Sequence, residues 1–251
     1  MKVYKYRDLS RPSDRDFQRL ATIMHRRAFW CARPDTLNDP EELAWLGDFS
    51  ATGETVELLS NLLVVARGRS WAEAREKAAQ AVRSEALERL AQPVITDLIE
   101  QCRNEVGLVC FGTSPDNDVL WQRYGGNGSG VCVELEVPDH LLGTQLFNVQ
   151  YLGAKRIHID QLVRAFLDRR KVVEVYGLAL LSKPLFWRDE VEVRFVSKRQ
   201  GVQVVIEDSR ITRLFAGDLL PPSLIDRIKV EAGGLPVVAR AGTVVSSRGH
   251  R

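Results

Sequence analysis

The chain has 251 residues, 45% hydrophobic and 27% charged, with 35 Lys and Arg against 33 Asp and Glu for a formal net charge of +2. This is the make-up of an ordinary globular protein with a sizeable core, and it gives no electrostatic steer toward nucleic acid or an anionic surface. No run approaches the roughly 18 apolar residues of a membrane span, and the opening Met1-Lys2-Val3-Tyr4-Lys5-Tyr6-Arg7 lacks the apolar core of a signal peptide, so a cytoplasmic protein with no membrane partner is expected.

Residues 2–6 alternate as a short strand. Ser13 or Asp14 is placed to cap a helix carrying Phe17, Leu20, Ile23 and Met24. Residues 28–32 read as a second strand, running into a loop dense in turn formers over 33–40. From about 41 to 103 the chain is helical in character. Residues 71–89 space Ala, Val and Leu helically among charges of both signs, so 43–103 reads as a helical insertion. An apolar strand over 106–111, a short helix over 118–124, a glycine turn over 125–130 and an alternating strand over 131–137 follow. Residues 147–151 form a further strand, 159–181 a helix, and 190–197 a strand with a hairpin partner near 202–206. A closing β/α/β unit takes a strand at 211–215, a helix at 222–232 begun by proline, and a strand at 235–239. The expected architecture is one α+β domain over 1–245 with a split, mostly antiparallel central sheet, and a frayed tail over 246–251.

Cys31, Cys102, Cys110 and Cys132 form no CxxC pair, and no His stands at metal spacing from them. They read as buried structural thiols, without disulfides in a reducing compartment. The run Gly125-Gly126-Asn127-Gly128-Ser129-Gly130 is not a phosphate loop, because it follows a helix and opens a strand where phosphate-cradling glycines do the reverse.

The densest chemistry lies in Phe186-Trp187-Arg188-Asp189-Glu190-Val191-Glu192-Val193-Arg194-Phe195. Strand alternation puts Val191, Val193 and Phe195 on one face and Glu190, Glu192 and Arg194 on the other. That polar face is either a solvated strand face or the lining of a pocket. Asn38-Asp39-Pro40 makes a tight turn able to cap a helix starting at Pro40, or to brace a ligand loop. Trp121 and Tyr124 share a helix face, which serves either a core or a platform for a flat heterocycle. Asp35 with Glu190 and Glu192 keeps a Mg²⁺-dependent nuclease open as a third reading.

These pieces, in this order, resemble the bacterial family described as domain of unknown function 2971. The resemblance rests on Tyr4-Lys5-Tyr6-Arg7, Leu37-Asn38-Asp39-Pro40-x-Glu42, Val109-Cys110-Phe111 and Leu120-Trp121-x-x-Tyr124. It continues through Gly130-Val131-Cys132-Val133-Glu134 and Lys183-x-x-x-Trp187-x-x-Glu190-x-Glu192-x-Arg194. Glu41 and Leu120 depart from the aromatic and the methionine usual in that family. The order also resembles the ADP-ribosyltransferase fold, although Lys5 stands where such enzymes often carry His or Arg.

The second resemblance implies an enzyme that uses NAD as substrate, of the kind found among toxins and anti-phage effectors. It implies a protein or nucleic-acid acceptor and a regulatory or antitoxin partner. It also distributes roles. Tyr4, Lys5, Tyr6 and Arg7 would contact the cofactor, with Lys5 and Arg7 on its diphosphate. Trp121 or Tyr124 would stack the nicotinamide, and Asn38 and Asp39 would fix the loop beneath it. Glu192 or Glu190 would be the catalytic carboxylate, with Glu192 favoured because Arg194 is its neighbour on the strand face. All eight of Lys5, Arg7, Asn38, Asp39, Trp121, Tyr124, Glu190 and Glu192 are then expected to line one cleft. The different-class alternative is a non-catalytic module that binds a ligand or nucleic acid in the same pocket.

Overall fold

The structure, a computed structural model, describes residues 1–39, 42–43, 46–153 and 156–240. In chain order its first elements are β1 (Lys2–Arg7), α1 (Asp14–Arg26), β2 (Ala28–Cys31), β3 (Leu46–Asp48), α2 (Thr55–Arg67), α3 (Trp71–Arg83) and α4 (Leu87–Glu105). Next come β4 (Gly107–Gly112), α5 (Asp118–Tyr124), β5 (Val131–Glu136), β6 (Leu146–Asn148), β7 (Gln150–Leu152) and β8 (Arg156–His158). The last are α6 (Ile159–Leu167), α7 (Val172–Leu180), β9 (Ser182–Pro184), β10 (Glu192–Ser197), β11 (Val202–Val205), β12 (Arg210–Ala216), α8 (Pro222–Glu231) and β13 (Val237–Ala239). The protein is thus mixed α and β, with a large, mostly antiparallel sheet. Among the described residues no helix is long and apolar enough to cross a membrane.

The chain divides into two compact units. The first takes Met1–Ala32, Gly107–Val149 and the segment from Arg188 on. Its seven-stranded sheet runs β13-β12-β5-β1-β4-β10-β6, and only the β12–β13 pair is parallel. Apolar side chains on alternate strand positions make one face a core: Val3, Val109, Phe111, Val133, Leu135, Val193 and Leu214 pack with Phe17 and Leu20 of α1, Phe29 of β2 and Ile228 of α8. Ser13 opens α1 as expected, its N–H and hydroxyl both donating to the Asp16 carboxylate at 3.0 and 2.6 Å. Helix α5 joins the opposite face, where Leu120 and Trp121 meet Tyr4, Tyr6, Cys132 and Phe215. Gly112 permits that seat: a Cβ there would stand 2.4 Å from Leu120 Cδ1.

The second unit takes Arg33–Val106 and Gln150–Trp187. The helices expected as an insertion therefore share a unit with 150–187. Their core joins Leu59, Ala78, Leu87 and Leu98 to Ile157, Ile159, Leu162 and Val175. Short parallel pairs, β3–β8 and β7–β9, complete it.

Several expected elements differ. The 202–206 strand pairs with β2, because both edges of β10 are taken by β4 and β6 and Val204 is needed in the sheet core. The helix over 159–181 is broken at Asp168, whose carboxylate accepts the Arg170 N–H at 3.0 Å and starts a 3₁₀ turn instead. Residues 71–89 stop as a helix at Arg83, and the next begins at Leu87. The strand expected over 147–151 is split into β6 and β7, which pair with β10 and β9. The expected helix start at Pro40 and the tail over 246–251 lie outside the described residues.

Candidate functional site

β1, β4 and β10 are neighbours in the sheet, so the strands bearing the Tyr4–Arg7, Val109–Phe111 and Glu190–Arg194 motifs stand side by side. The register decides which side chains share a face. Tyr4 and Glu192 both lie opposite Gly112, and Arg194 lies opposite Cys110, so these five positions share the sheet face that carries α5.

The strand does not begin where alternation put it. A 3₁₀ turn spans Leu185–Glu190 and β10 starts at Glu192. Val191 between them is left-handed, with φ 45°, and is half exposed. Glu190 therefore ends the turn, under α5. Its Oε1 accepts the Arg123 guanidinium and the Tyr124 hydroxyl, each at 2.9 Å. Asn117 binds the same turn from the head of α5. Its amide donates to the Asp189 and Glu190 carbonyls at 2.8 and 3.3 Å, while its Oδ1 caps the helix through the Leu120 N–H at 3.1 Å. One short helix thus holds both the backbone and the carboxylate of Glu190.

Glu192 is held from its own strand. Arg194 donates to it in a fork, Nε to Oε1 at 2.8 Å and Nη2 to Oε2 at 3.3 Å. Of the two readings of that polar face the solvated one fails, since Glu190, Glu192 and Arg194 are 1%, 6% and 0% exposed. A lone buried charge is costly, and each here has an opposite charge at hydrogen-bond distance. Cys110 packs against this pair. Burial, then the Glu192 carboxylate, push its thiol up to about 12, so it is a protonated donor. Burial acts first on the other cysteines as well, raising Cys31 to about 11, Cys102 to about 12 and Cys132 higher still.

Within the first unit the residues expected to line one cleft divide between the two faces of β1. Alternation that places Tyr4 and Tyr6 toward α5 places Lys5 and Arg7 toward the other face. Lys5 lies opposite Val133, a residue of the α1-side core; its ammonium donates to the Cys110 carbonyl at 2.8 Å and stands 5.8 Å from the Phe111 ring. Burial, then Arg19, lower the Arg7 pKa, and Asp16 of the same helix opposes them. Trp121 is a core residue at 1% exposure. Tyr6 meets its ring edge-on at 5.3 Å and its indole N–H donates to the Pro115 carbonyl at 2.7 Å, so it presents no open face for a nicotinamide. Asn38 and Asp39 belong to the second unit, where the Glu42 N–H donates to the Asp39 carbonyl at 3.1 Å. Asp35 is held there too, by a two-point contact from Arg33. Among the described residues no group of three or more His, Cys, Asp and Glu is placed to hold a metal ion.

Sequence reasoning gave no role to three residues. Arg123 lies inside the quoted Trp121-x-x-Tyr124 spacing, and Asn117 shows only as a helix cap. Glu134 interrupts the apolar run of β5, which is a readable signal. It is buried, with the Lys2 ammonium at 3.1 Å, the Tyr4 hydroxyl at 3.1 Å, the Thr212 hydroxyl, and the Arg213 guanidinium at 3.3 Å. Burial pulls the Glu134 pKa up, but Thr212, Lys2 and Tyr4 outweigh it and hold the carboxyl below its ordinary range. Burial and Glu134 push the Tyr4 phenol up to about 12.

A second constellation, in the helical unit, has the residue types of a hydrolase. Ser50 Oγ lies 3.3 Å from His158 Nε2, and His158 Nδ1 lies 3.6 Å from Asp160 Oδ2. Its proton arrangement is wrong for a nucleophile. His158 Nδ1 accepts the Asp160 backbone N–H at 3.1 Å, which leaves the ring proton on Nε2, and Ser50 donates to Asp48 at 2.7 Å. His158 is a helix cap.

No protein-family model, curated protein or solved structure matches the chain. The resemblances drawn above therefore rest on the residues themselves.

Proposed function

We propose that the corner between α5 and the head of β10 is an ADP-ribosyl transfer site that takes NAD and a macromolecular acceptor, on an ADP-ribosyltransferase-like sheet. The observation that carries this reading is Glu190, a buried carboxylate at the entry to a strand, fixed by a tyrosine hydroxyl and a half-buried arginine. Its strand lies next to the one bearing Cys110, and that one next to the one bearing Tyr4 and Tyr6. In such a reaction nicotinamide leaves the ribose C1′ with the bonding electrons. The acceptor's nucleophilic atom then bonds to C1′ and gives up its proton. A fixed carboxylate stabilises the positive charge that develops on the ribose.

Within this reading Glu190 is the better catalytic residue. Both oxygens of Glu192 are occupied by an arginine that no solvent reaches, whereas the arginine on Glu190 is partly exposed and can exchange partners. Glu192 with Arg194 then braces the strand. Lys5 and Arg7 do not carry the diphosphate in this version, and Arg123 takes that charge role.

One observation favours the non-catalytic alternative, a ligand-binding module: both carboxylates are already matched by arginines within the fold. A thermal shift with NAD in the absence of divalent metal, followed by assay of nicotinamide release, separates the two. Binding stabilises the native state by mass action. Stabilisation with release supports the transferase. Stabilisation without release supports the module, and no response to NAD ends both as NAD readings.

A further inference from the structure

Five non-glycine residues among those described have positive φ: Arg27, Glu85, Asn127, Val191 and Asp208. Arg27 caps the end of α1 and Asn127 sits in the glycine turn, places where the left-handed region is routine. Val191 is the one β-branched residue of the five, and its branched Cβ makes that region costly. Its side chain offsets little of that cost, being 49% exposed. Such a residue persists only where its surroundings over-determine it. They do so here: the Val191 N–H donates to the Arg188 carbonyl at 3.3 Å, Asn117 holds the two preceding carbonyls, and the next residue enters the β4–β10 ladder.

We infer that Val191 is a positioning residue, whose left-handed backbone sets where the Glu190 carboxylate stands. The inference deepens the reading above by naming what places its catalytic group. Without that turn, β10 would extend back through 190, and alternation would put Glu190 beside Glu192 and Arg194 on one strand face. Two carboxylates would then share one buried guanidinium. The left-handed residue breaks the period of two. Glu190 is delivered to Arg123 and Tyr124, while Glu192 keeps the fork of Arg194.

Two variants of the full chain test this. Val191→Asn keeps access to the left-handed region, which asparagine tolerates. It is expected to melt about 2–4 °C above wild type, the shift for roughly one relieved kcal/mol at this size, with unchanged NAD turnover. Val191→Pro fixes φ near −65° and forbids that region. Its turnover is expected to fall roughly 10²-fold, as for a misplaced reacting group. A readout independent of NAD is the coupling between Tyr124→Phe and Glu190→Gln in urea unfolding: non-additive in wild type and in the V191N background, additive in the V191P background. Should wild type fail to consume NAD, the functional reading falls while the coupling still decides the role of Val191. The inference is overturned if V191P keeps the wild-type coupling, or if V191N melts below wild type or loses the coupling. The V191N outcomes decide it even if V191P does not fold.

Discussion

Four buried acids, three in the sheet unit and one in the helical unit, are met in two different ways. In the sheet unit Glu134, Glu190 and Glu192 are buried against cations: Lys2 and Arg213, Arg123, and Arg194. In the helical unit the carboxylate of Asp160 is met by hydroxyls, Thr52 at 2.6 Å and Thr55 at 2.8 Å, with the ring of His158 beside it. Hydroxyls satisfy a carboxylate's lone pairs without adding opposing charge, and they suit a staple between α2 and α6. Charge pairs in a sheet interior cost desolvation that apolar residues would avoid, which is why the proposed site is sought among them. The comparison also separates geometry from residue type: Ser50, His158 and Asp160 have the right names and the wrong protons, whereas the grouping of Glu190 with Arg123 and Tyr124 matches no triad.

The largest effect is expected from breaking the most buried pair. Arg194→Met removes the guanidinium fork from the buried Glu192 and should cost about 3–5 kcal/mol in urea unfolding. A cost under about 1 kcal/mol, the scale of an exposed ion pair, would make the two units alike. Next is Glu190→Gln, which should lower NAD turnover by roughly 10²–10³-fold with a small change in melting temperature, because Arg123 can turn toward solvent. If Glu192→Gln alone abolishes turnover and remains stable, the roles assigned to the two glutamates are reversed.

In the helical unit Asp160→Ala should cost about 1–3 kcal/mol, the range for leaving buried hydrogen-bonding groups unmet, read by the same unfolding assay. NAD turnover should be unchanged, which would confine the chemistry to the sheet unit. The smallest effect is expected at Glu134. Its native pKa is depressed, so its contribution to stability is present above the unfolded carboxyl value and is lost as pH falls through the native one. Thr212→Val removes one donor and should cost about 1 kcal/mol at neutral pH. Unfolding curves from pH 7 down to 3 should show wild type and T212V converging at the acid end; curves that stay parallel would show that Thr212 does not act through the ionised carboxylate.

Much of the architecture was legible because it is local. Ser13 before an acidic first turn, the apolar spacing of Phe17, Leu20, Ile23 and Met24, and the proline opening the last helix each act within a few residues, and α1 and α8 form where they indicate. The same holds for the α5 boundaries and for the β12–α8–β13 unit. The alternation of Glu192 and Arg194 against Val193 and Phe195 was also readable, since a strand's period of two is fixed by its backbone.

What the sequence could not supply is whatever depends on which strands meet. Nothing near Val202 says that β11 joins β2, because that depends on the two edges of β10 being occupied. The division of Tyr4-Lys5-Tyr6-Arg7 between two faces followed from alternation alone, but which face carries the site followed only from the register of β1 and β10 on β4. Whether Glu190 and Glu192 are solvated or enclosed is likewise invisible in one dimension, because burial is set by α5 and the sheet together. The left-handed Val191 is the clearest case. A β-branched residue between two glutamates reads as strand by every local propensity, and the contacts made by Asn117, Arg123 and Tyr124 help to hold it otherwise. The sequence by itself determined the elements and the cast of charged residues. The tertiary structure decided which charges meet, because pairing energy in an enclosed sheet depends on distances that no spacing along the chain records.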